Sequence, residues 1–250
     1  MRDNIFVNVA NPTPTPPYTN WLTAATTIQD AVDSATNGDL VLVTNGVYQN
    51  GGQAITFFNI PYFTNRIAVT KPITVCSVNG AGVTFIKGAW NTSTINGPYA
   101  VRCAYLANGA SLVGFTMFNG ATENSLYGGL YDNILDLSGG GLLCASTNVS
   151  VANCVLTSNS ASLYGGGAYS GTLSNCTMIG NSGYTFAGGA MSNVLINCLI
   201  SSNLTSGSGG GAYGCVLDGC TINNNQNGDN YGGGISFAWR KTALFSRTQP

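Results

Sequence analysis

The sequence predicts an all-β solenoid of short parallel strands, with one turn of the solenoid for each repeat of about 22 residues. Such a fixed period is the signature of a repeat architecture, in which each unit stacks on its neighbours. Three residue types keep the period over four copies, namely a cysteine rank, an asparagine rank and a rank of glycine pairs. Their members are Cys154, Cys176, Cys198 and Cys220; Asn159, Asn181, Asn203 and Asn225; and Gly166-Gly167, Gly188-Gly189, Gly210-Gly211 and Gly232-Gly233.

Within each repeat the apolar positions form short strands, because a unit of this length is too short for a pair of helices. Leu173, Cys176 and Met178 show the pattern, which recurs in the following coils. The residues just before the cysteines share a tolerance of positive φ, which predicts a left-handed bend. They are Asn153, Asn175, Asn197 and Gly219.

The other two ranks are expected to mark further corners of the coil. In the left-handed bends, the stacked side chains of Asn153, Asn175 and Asn197 are expected to hydrogen-bond along the solenoid axis. The glycine pairs mark a corner where a side chain would crowd the next coil. The cysteine rank is interpreted as an inward stack of small apolar side chains. A soft-metal site and disulfide bonds are the alternatives, although parallel Cβ vectors would aim stacked sulfurs poorly for a disulfide.

A short helix at about residues 26–37 is expected to cap the open apolar end of the solenoid. The segment Thr26-Thr27-Ile28-Gln29 matches a capping box, and Gly38 follows as a stop signal. These signals divide the chain into an extended segment at 1–25, a β-helix domain at 26–238 and an irregular or truncated tail at 239–250. The most regular coils are predicted at about 144–238.

The chain resembles the pectin-lyase-like family of right-handed parallel β-helix proteins. The resemblance rests on the segments 27–33, 38–43 and 45–48, which look like the family's N-terminal cap, and on 73–77 and 110–117, which look like its following coils. The repeats from 139 to 234 are similar to those of bacterial surface β-helix proteins, including polymorphic outer-membrane protein repeats. The resemblance therefore implies a single-stranded right-handed parallel β-helix of about nine coils. It implies no single function, since one fold hosts many activities.

Charge is scarce, and its scarcity excludes several classes of function. The 250 residues include eight Lys or Arg, nine Asp or Glu and no His, for a formal net charge of −1. Eight scattered cations cannot form the basic stripe that nucleic-acid binding needs. Catalysis or zinc binding through imidazole is excluded as well. The sequence contains neither an apolar run long enough to span a membrane nor a signal-peptide pattern. We expect an extracellular or cell-surface protein whose export signal is absent from this chain.

Two stretches break the repeat and are expected to form loops on one flank, where repeat proteins often bind ligands. One runs from Gln53 to Arg66 and is rich in aromatic residues. The other is an insertion from Glu123 to Leu137, which is interpreted either as a solvated loop or as a site for sugar hydroxyls or Ca²⁺. No other cofactor is expected. The candidate ligand-binding residues are Glu123, Tyr127, Tyr131, Asp132 and Asp136.

The resemblance implies, for the family's hydrolases, clustered Asp residues and a His-Gly motif, and for its lyases, several Ca²⁺-binding Asp residues with a basic residue as base. The hydrolase motifs are absent from this sequence. Lys87 and Arg102 are the only mid-chain bases near conceivable partners, with no Asp cluster close in sequence. No catalytic residue is therefore predicted.

Three functions follow in order of preference. The first is a non-catalytic surface scaffold that binds glycans or a partner through lateral loops. The second is a degenerate or unconventional polysaccharide lyase or hydrolase. The third is a self-assembling structural module, associating end to end through an uncapped C-terminal edge.

Overall fold

A computed structural model describes residues 3–57, 60–124, 134–228 and 232–246 of the chain. Within these ranges it contains one α-helix and 27 β-strands. The first half comprises β1 (Asn4–Val7), α1 (Ile28–Ser34), β2 (Leu40–Val43), β3 (Gly46–Tyr48), β4 (Gln53–Phe57), β5 (Ile60–Val69), β6 (Thr74–Ser77), β7 (Thr84–Lys87), β8 (Arg102–Leu106), β9 (Ser111–Val113) and β10 (Thr116–Phe118).

The second half contains shorter strands. They are β11 (Leu142–Cys144), β12 (Ser150–Ala152), β13 (Val155–Thr157), β14 (Ser160–Ala161), β15 (Ala168–Tyr169), β16 (Thr172–Ser174), β17 (Thr177–Ile179), β18 (Ser182–Gly183), β19 (Ala190–Met191), β20 (Val194–Ile196), β21 (Leu199–Ser201), β22 (Leu204–Thr205), β23 (Ala212–Tyr213), β24 (Val216–Asn223), β25 (Gln226–Asn227), β26 (Ile235–Ser236) and β27 (Trp239–Ser246).

These strands stack coil upon coil into a parallel β-helix, as the repeat predicts. The first face runs from β1 and β2 through β6, β9, β12, β16 and β20 to β24 and β27, which makes nine stacked strands in the described ranges. The second face runs from β3 through β7, β10, β13, β17 and β21 to β24. The third face runs from β5 through β8, β11, β15, β19 and β23 to β26. The short strands β14, β18, β22 and β25 stack beside the second face.

The core lies inside the coil, where each inward side chain meets its counterpart one repeat away. Leu173 pairs in register with Val151 and with Leu195, and all three are fully buried. Neighbouring strands lie about 4.8 Å apart, so stacked aliphatic side chains remain in contact along the axis.

The cysteine rank is inward, which confirms its interpretation as a small apolar stack. Cys154, Cys176, Cys198 and Cys220 are at most 2% exposed, and all eight cysteines are free thiols. Each of the four thiols donates to the carbonyl two residues earlier, as Cys176 does to Ser174 at 3.3 Å. Cys76 differs, because it points outward from β6 and is partly exposed.

The residues before these cysteines form left-handed bends, which confirms the sequence prediction. Their φ angles are 54° at Asn153, 51° at Asn175, 52° at Asn197 and 63° at Gly219. Asparagine and glycine tolerate this conformation at lower cost than other residues.

The ladder of hydrogen-bonded asparagines connects the coils through the buried rank that begins at Asn159, and not through the left-handed bends, where it was expected and where the asparagines are exposed. The Nδ2 atoms of Asn159, Asn181 and Asn203 each donate to the Oδ1 atom of the next asparagine, at 2.9–3.0 Å. The same Oδ1 atoms accept the backbone N–H of the preceding asparagine, and each Nδ2 also donates to a backbone carbonyl of the coil before. Every rung is therefore tied to the neighbouring coils through side chain and backbone together.

The glycine pairs occupy a corner where the backbones of adjacent coils nearly touch. A Cβ atom at Gly188 would lie 2.3 Å from the carbonyl oxygen of Leu204, and one at Gly189 would lie 2.4 Å from that of Gly211. No side chain fits in that space, so the expectation of crowding is confirmed.

The helix caps the N-terminal end, but it is shorter than expected and begins differently. It covers Ile28–Ser34, and Thr27 is its N-cap, accepting the Asp30 N–H at 3.1 Å. Gln29 does not close a capping box; it is buried, and its Oε1 accepts the Ala68 N–H at 2.7 Å. The Nζ of Lys71 donates to three carbonyls at the helix C-terminus, those of Val32, Asp33 and Ala35.

Strands at residues 4–7 and 239–246 pair with the solenoid, which corrects the expected boundaries. In the segment 1–25, β1 pairs in parallel with β2. In the segment 239–250, residues up to 246 form β27, which pairs with β24. The expected irregular tail is thus a strand over 239–246.

The repeat phase breaks in the last coil, which contains an extra residue. Ala190 lies opposite Ala212, whereas Ala212 lies opposite Ile235. It is consequently the Gly233-Gly234 pair, rather than Gly232-Gly233, that lies against Gly210-Gly211.

Two further details complete the fold. The aromatic-rich stretch from Gln53 includes an antiparallel pair of strands, β4 and β5, rather than an irregular loop. In the part of the chain that the structure describes, no helix is long and apolar enough to cross a membrane.

The asparagine ladder predicts a large loss of stability when one rung is removed. Asn203→Ala leaves the buried Asn181 amide groups and the Met178 carbonyl without their partner. Since each unpaired buried group costs about 1–3 kcal/mol, we expect the free energy of unfolding to fall by about 3 kcal/mol or more. Urea denaturation measures it. Asn148→Ala, on an exposed loop, is the control and should change it by less than about 0.5 kcal/mol.

The close approach at the glycine corner predicts a contrast between two Gly→Ala variants. Gly188→Ala forces the Leu204 backbone to move, whereas a Cβ at Gly82 meets nothing within 4 Å and Gly82 has no positive φ. We expect a clear drop in melting temperature for Gly188→Ala and little change for Gly82→Ala. Equal melting temperatures for the two variants would contradict the assigned packing.

Candidate ligand-binding cavity

A lateral cavity of about 310 Å³ lies beside the first coils. This size is at the lower end for small-molecule sites. The strand register brings its polar residues together, because β3 pairs with β7 so that Tyr48 lies opposite Ile86, which places Gln49 beside Lys87. The lining residues are Gln49, Arg66, Lys87, Gly88, Ala89, Trp90 and Asn119.

Two cationic side chains share this cavity. The Nε atom of Arg66 donates to the Lys87 carbonyl at 2.9 Å, and its NH1 group donates to the Gly51 carbonyl. The Lys87 Nζ donates to Oε1 of Gln49 at 3.2 Å. Burial lowers the pKa of Arg66, but an arginine remains charged at neutral pH. Within the described ranges every one of these acceptors is neutral, so the two charges are hydrogen-bonded without an anionic partner there.

The backbone at Gly88 holds the cavity residues in place. A Cβ at this position would lie 2.3 Å from the Val101 carbonyl oxygen and 2.5 Å from Gly120 Cα. Gly88 therefore lets the chain pass close to two neighbouring segments just after Lys87, and Trp90 follows two residues later. The indole of Trp90 is 42% exposed.

A loop held by hydrogen bonds extends from Trp90 to residue 100. Asn91 organises it, because its Oδ1 accepts the N–H groups of Ser93 and Thr94. Asn96 and Ser160 exchange two hydrogen bonds, at 3.0 and 2.7 Å, which fasten the loop to a later coil. Positive φ angles at Ile95 (66°) and Tyr99 (73°) mark backbone strain that such anchoring sustains.

Of the five sequence-predicted ligand-binding residues, the structure describes only Glu123 and Asp136. Tyr127, Tyr131 and Asp132 lie outside the described residues. Glu123 and Asp136 are brought together, since the Glu123 N–H donates to the Asp136 carbonyl at 3.2 Å. Burial raises the pKa of Asp136, while nearby Arg102 opposes that shift. In the described ranges no group of three or more His, Cys, Asp or Glu side chains is arranged to hold a metal ion. A Ca²⁺ or sugar site at the insertion stays a prediction.

Arg102 has a structural role beside this insertion. It is fully buried, and its guanidinium donates to Oδ1 of Asn65 at 2.8 Å and to the Gly139 carbonyl at 2.9 Å. It also donates to the carbonyls of Ser138 and Leu135, and it lies over the ring of Phe63. Burial lowers its pKa to about 10. Arg102 thereby ties the end of the insertion to the third face.

Sequence reasoning singled out Lys87 but missed Arg66 and Trp90 as its neighbours in the cavity. The rarity of charge could have drawn attention to Arg66, since only four basic residues lie between positions 3 and 239. Spacing alone did not reveal the cluster, because coils in this half of the chain differ in length.

Comparison with known proteins supports the fold. No family model matches the sequence, and no curated protein matches it at a significant level. The structure is similar to that of pectate lyase Pel9A, with a TM-score of 0.56 and 14% identity, over 92% of this chain and 56% of the lyase. This chain thus spans just over half the length of that enzyme. At such low identity the similarity shows the fold alone, which is a parallel β-helix.

Two weaker similarities were also found. A rhamnogalacturonan lyase matches with a TM-score of 0.49 and 11% identity, over 98% of this chain and 62% of that protein. Pectin methylesterase PemA from Erwinia chrysanthemi matches with a TM-score of 0.47 and 14% identity, over 97% of this chain and 67% of that protein.

The contacts of Arg102 predict that its replacement is severely destabilising. Arg102→Met leaves the Asn65 amide oxygen and three carbonyls without their donor, so we expect the free energy of unfolding to fall by about 3 kcal/mol or more. Arg102→Lys keeps the charge but lacks the planar fork of donors, and it should recover only part of the loss. Wild-type stability of Arg102→Met in urea would contradict this role.

Proposed function

We propose that this protein is a non-catalytic β-helix scaffold that binds an acidic saccharide in the lateral cavity. The observation that carries the proposal is a pair of cationic side chains, Arg66 and Lys87, which line one cavity with the indole of Trp90. Their hydrogen-bond partners among the described residues are all neutral.

Electrostatics favours an anionic ligand. The chain has only eight basic residues, and two of them share this one cavity. Placing like charges together costs free energy unless an anion joins them, and hydrogen bonds from Arg or Lys to a carboxylate are stronger than bonds between neutral groups. A uronic acid carboxylate or a sugar sulfate supplies such an anion.

The remaining lining residues suit a sugar ring. The half-exposed Trp90 offers a large apolar surface for the C–H face of a pyranose. Gln49 and Asn119 offer amide groups, which both donate to and accept from hydroxyls. A few polar groups beside an aromatic surface are the usual make-up of a small-molecule site.

The composition of the cavity favours binding over hydrolysis. Glycoside hydrolysis uses two carboxyl groups flanking the scissile bond. Among the described residues, the lining side chains are two cations, two amides, an indole and the methyl group of Ala89, with no carboxylate. A lyase reaction through a basic side chain is the alternative, and formation of unsaturated sugar products from polyuronates in a cleavage assay would contradict the proposal.

We further propose that the protein works outside the cell, in contact with extracellular or surface glycans. A polar surface with few charges and a rigid solenoid suits a scaffold that displays loops. Protease accessibility of the protein on intact cells of its natural source tests this location.

Removal of the Lys87 charge should weaken saccharide binding. A glycan array followed by calorimetry with the best acidic oligosaccharide measures the effect. We expect Lys87→Met to lower the affinity about tenfold, because one charge-assisted hydrogen bond is lost while the alkyl stem stays. Lys87→Arg should retain most of the affinity. Binding should also weaken as salt is added, since exposed charges are screened.

A matched control removes a positive charge far from the cavity. Lys241→Met, in β27, should bind the same oligosaccharide as the wild type does. Equal affinity of Lys87→Met and the wild type, or a preference of the wild type for neutral over acidic sugars, would overturn the assignment of the cavity.

A further inference from the structure

The loop from Trp90 to residue 100 exposes two aromatic side chains beside the lateral cavity. Trp90 lines the cavity and is 42% exposed, and Tyr99 is 92% exposed. The backbones of Ala89 and Val101 exchange two hydrogen bonds, at 2.9 and 2.8 Å, so their Cα atoms lie about 5.5 Å apart. Trp90 comes one residue after this pair and Tyr99 two residues before it. The two aromatic residues therefore leave the loop from adjoining positions.

Tyr99 is held in a backbone conformation that a tyrosine adopts only at a cost. Its φ angle is 73°, in the left-handed region, where the Cβ atom of any residue other than glycine crowds the following carbonyl oxygen. Because the ring is almost fully exposed, burial of the side chain does not offset this cost. Strain of this kind is concentrated at sites that bind ligands. A ligand that covers the ring would supply the missing contact.

Hydrogen bonds on both limbs of the loop enforce this conformation. Directly before Tyr99, the Pro98 carbonyl accepts a hydrogen bond from Nδ2 of Asn91 at 2.5 Å. The Gly97 N–H donates to the Thr122 carbonyl at 2.9 Å, which ties the loop to the segment after β10 in the next coil. The Tyr99 ring is thus presented to solvent from a backbone that is fixed on either side.

We propose that Tyr99 forms a second sugar-binding position next to the lateral cavity, so that the protein binds a linear acidic oligosaccharide and not a single acidic sugar. This inference rests on the proposed function, in which Arg66 and Lys87 hold the first sugar residue. The next sugar residue of the chain lies on the Tyr99 ring, which offers an apolar face to its C–H groups. A tyrosine side chain has few rotatable bonds, so its ordering by a ligand costs little entropy.

The dependence of affinity on chain length tests the proposal. Calorimetry measures it with two linear series that each run from the monomer to the hexamer. One series is galacturonic acid, which carries carboxylates, and the other is a sulfated galactose, which carries sulfates. In the series that binds, we expect the affinity to rise about tenfold between the monomer and the trimer, because the longer chain also covers the Tyr99 ring.

Removal of the ring should abolish this gain. Tyr99→Ala should bind the oligomers about tenfold more weakly than the wild type does, so that its affinities for monomer and oligomer become equal. Tyr99→Phe keeps the ring and should keep the gain. The matched control is Tyr184→Ala, which removes a tyrosine that is 67% exposed on a later coil. This control should bind every oligomer as the wild type does.

Thermal stability separates a binding role of Tyr99 from a structural one. Tyr99→Gly removes the ring together with the strain, because glycine adopts positive φ without a steric penalty. We expect its melting temperature to equal or exceed that of the wild type, while its affinity for the oligomers falls as in Tyr99→Ala. A melting temperature well below that of the wild type would assign the ring a structural role and overturn the proposal.

The outcomes also separate this proposal from the proposed function. Suppose that one series binds and that Lys87→Met weakens its binding. Equal affinities of the wild type for monomer and hexamer, or full oligomer affinity of Tyr99→Ala, would then overturn the second position alone, and the cavity would bind a single acidic sugar. If neither series binds, or if Lys87→Met binds as tightly as the wild type does, both proposals are wrong.

Discussion

Stacking of identical positions from coil to coil, at the spacing of adjacent strands, is the constraint on which this structure depends. The asparagine ladder expresses it most directly, since Asn159, Asn181, Asn203 and Asn225 bind both each other and the backbone of the coil before. A slip of one residue would break the side-chain and backbone bonds together. The glycine corner and the inward cysteines hold the same register, because neither leaves room for an offset.

The same constraint separates the scaffold from its functional surfaces. Where the repeat period holds, outward positions are mostly small or polar and inward positions are filled. Where it fails, in the first coils, longer segments such as the loop from Trp90 to residue 100 leave the coil. The cavity with Arg66, Lys87 and Trp90 lies among these irregular coils. The proposed binding site thus lies among the irregular coils, and none of its lining residues belongs to the ladder.

Sequence reasoning succeeded where a position recurs at a fixed period and a single physical reason limits the residues that can occupy it. Asn175 and Gly219 share tolerance of positive φ, so their common position revealed the bend before any coordinates. Sequence reasoning failed where the hydrogen-bond partner of a residue is distant in the sequence and the coils have irregular spacing. The pattern at Gln29 suggested a capping box, but its amide bonds Ala68 across 39 residues. Three consecutive glycines, 232–234, concealed the extra residue that shifts the last coil.

The sequence by itself determined the parallel β-helix, the inward cysteine stack, the corner glycines and the scarcity of charge, because each depends on local preferences repeated at a fixed period. Only the tertiary structure decided which charged side chains lie close together. Arg66 and Lys87 come from separate strands, β5 and β7, and share a cavity. Arg102 instead turns inward to hold the insertion through four oxygen atoms. The reason is that the coils differ in length. Which side chains lie close together is therefore decided by the strand register and cannot be calculated from their distance along the sequence.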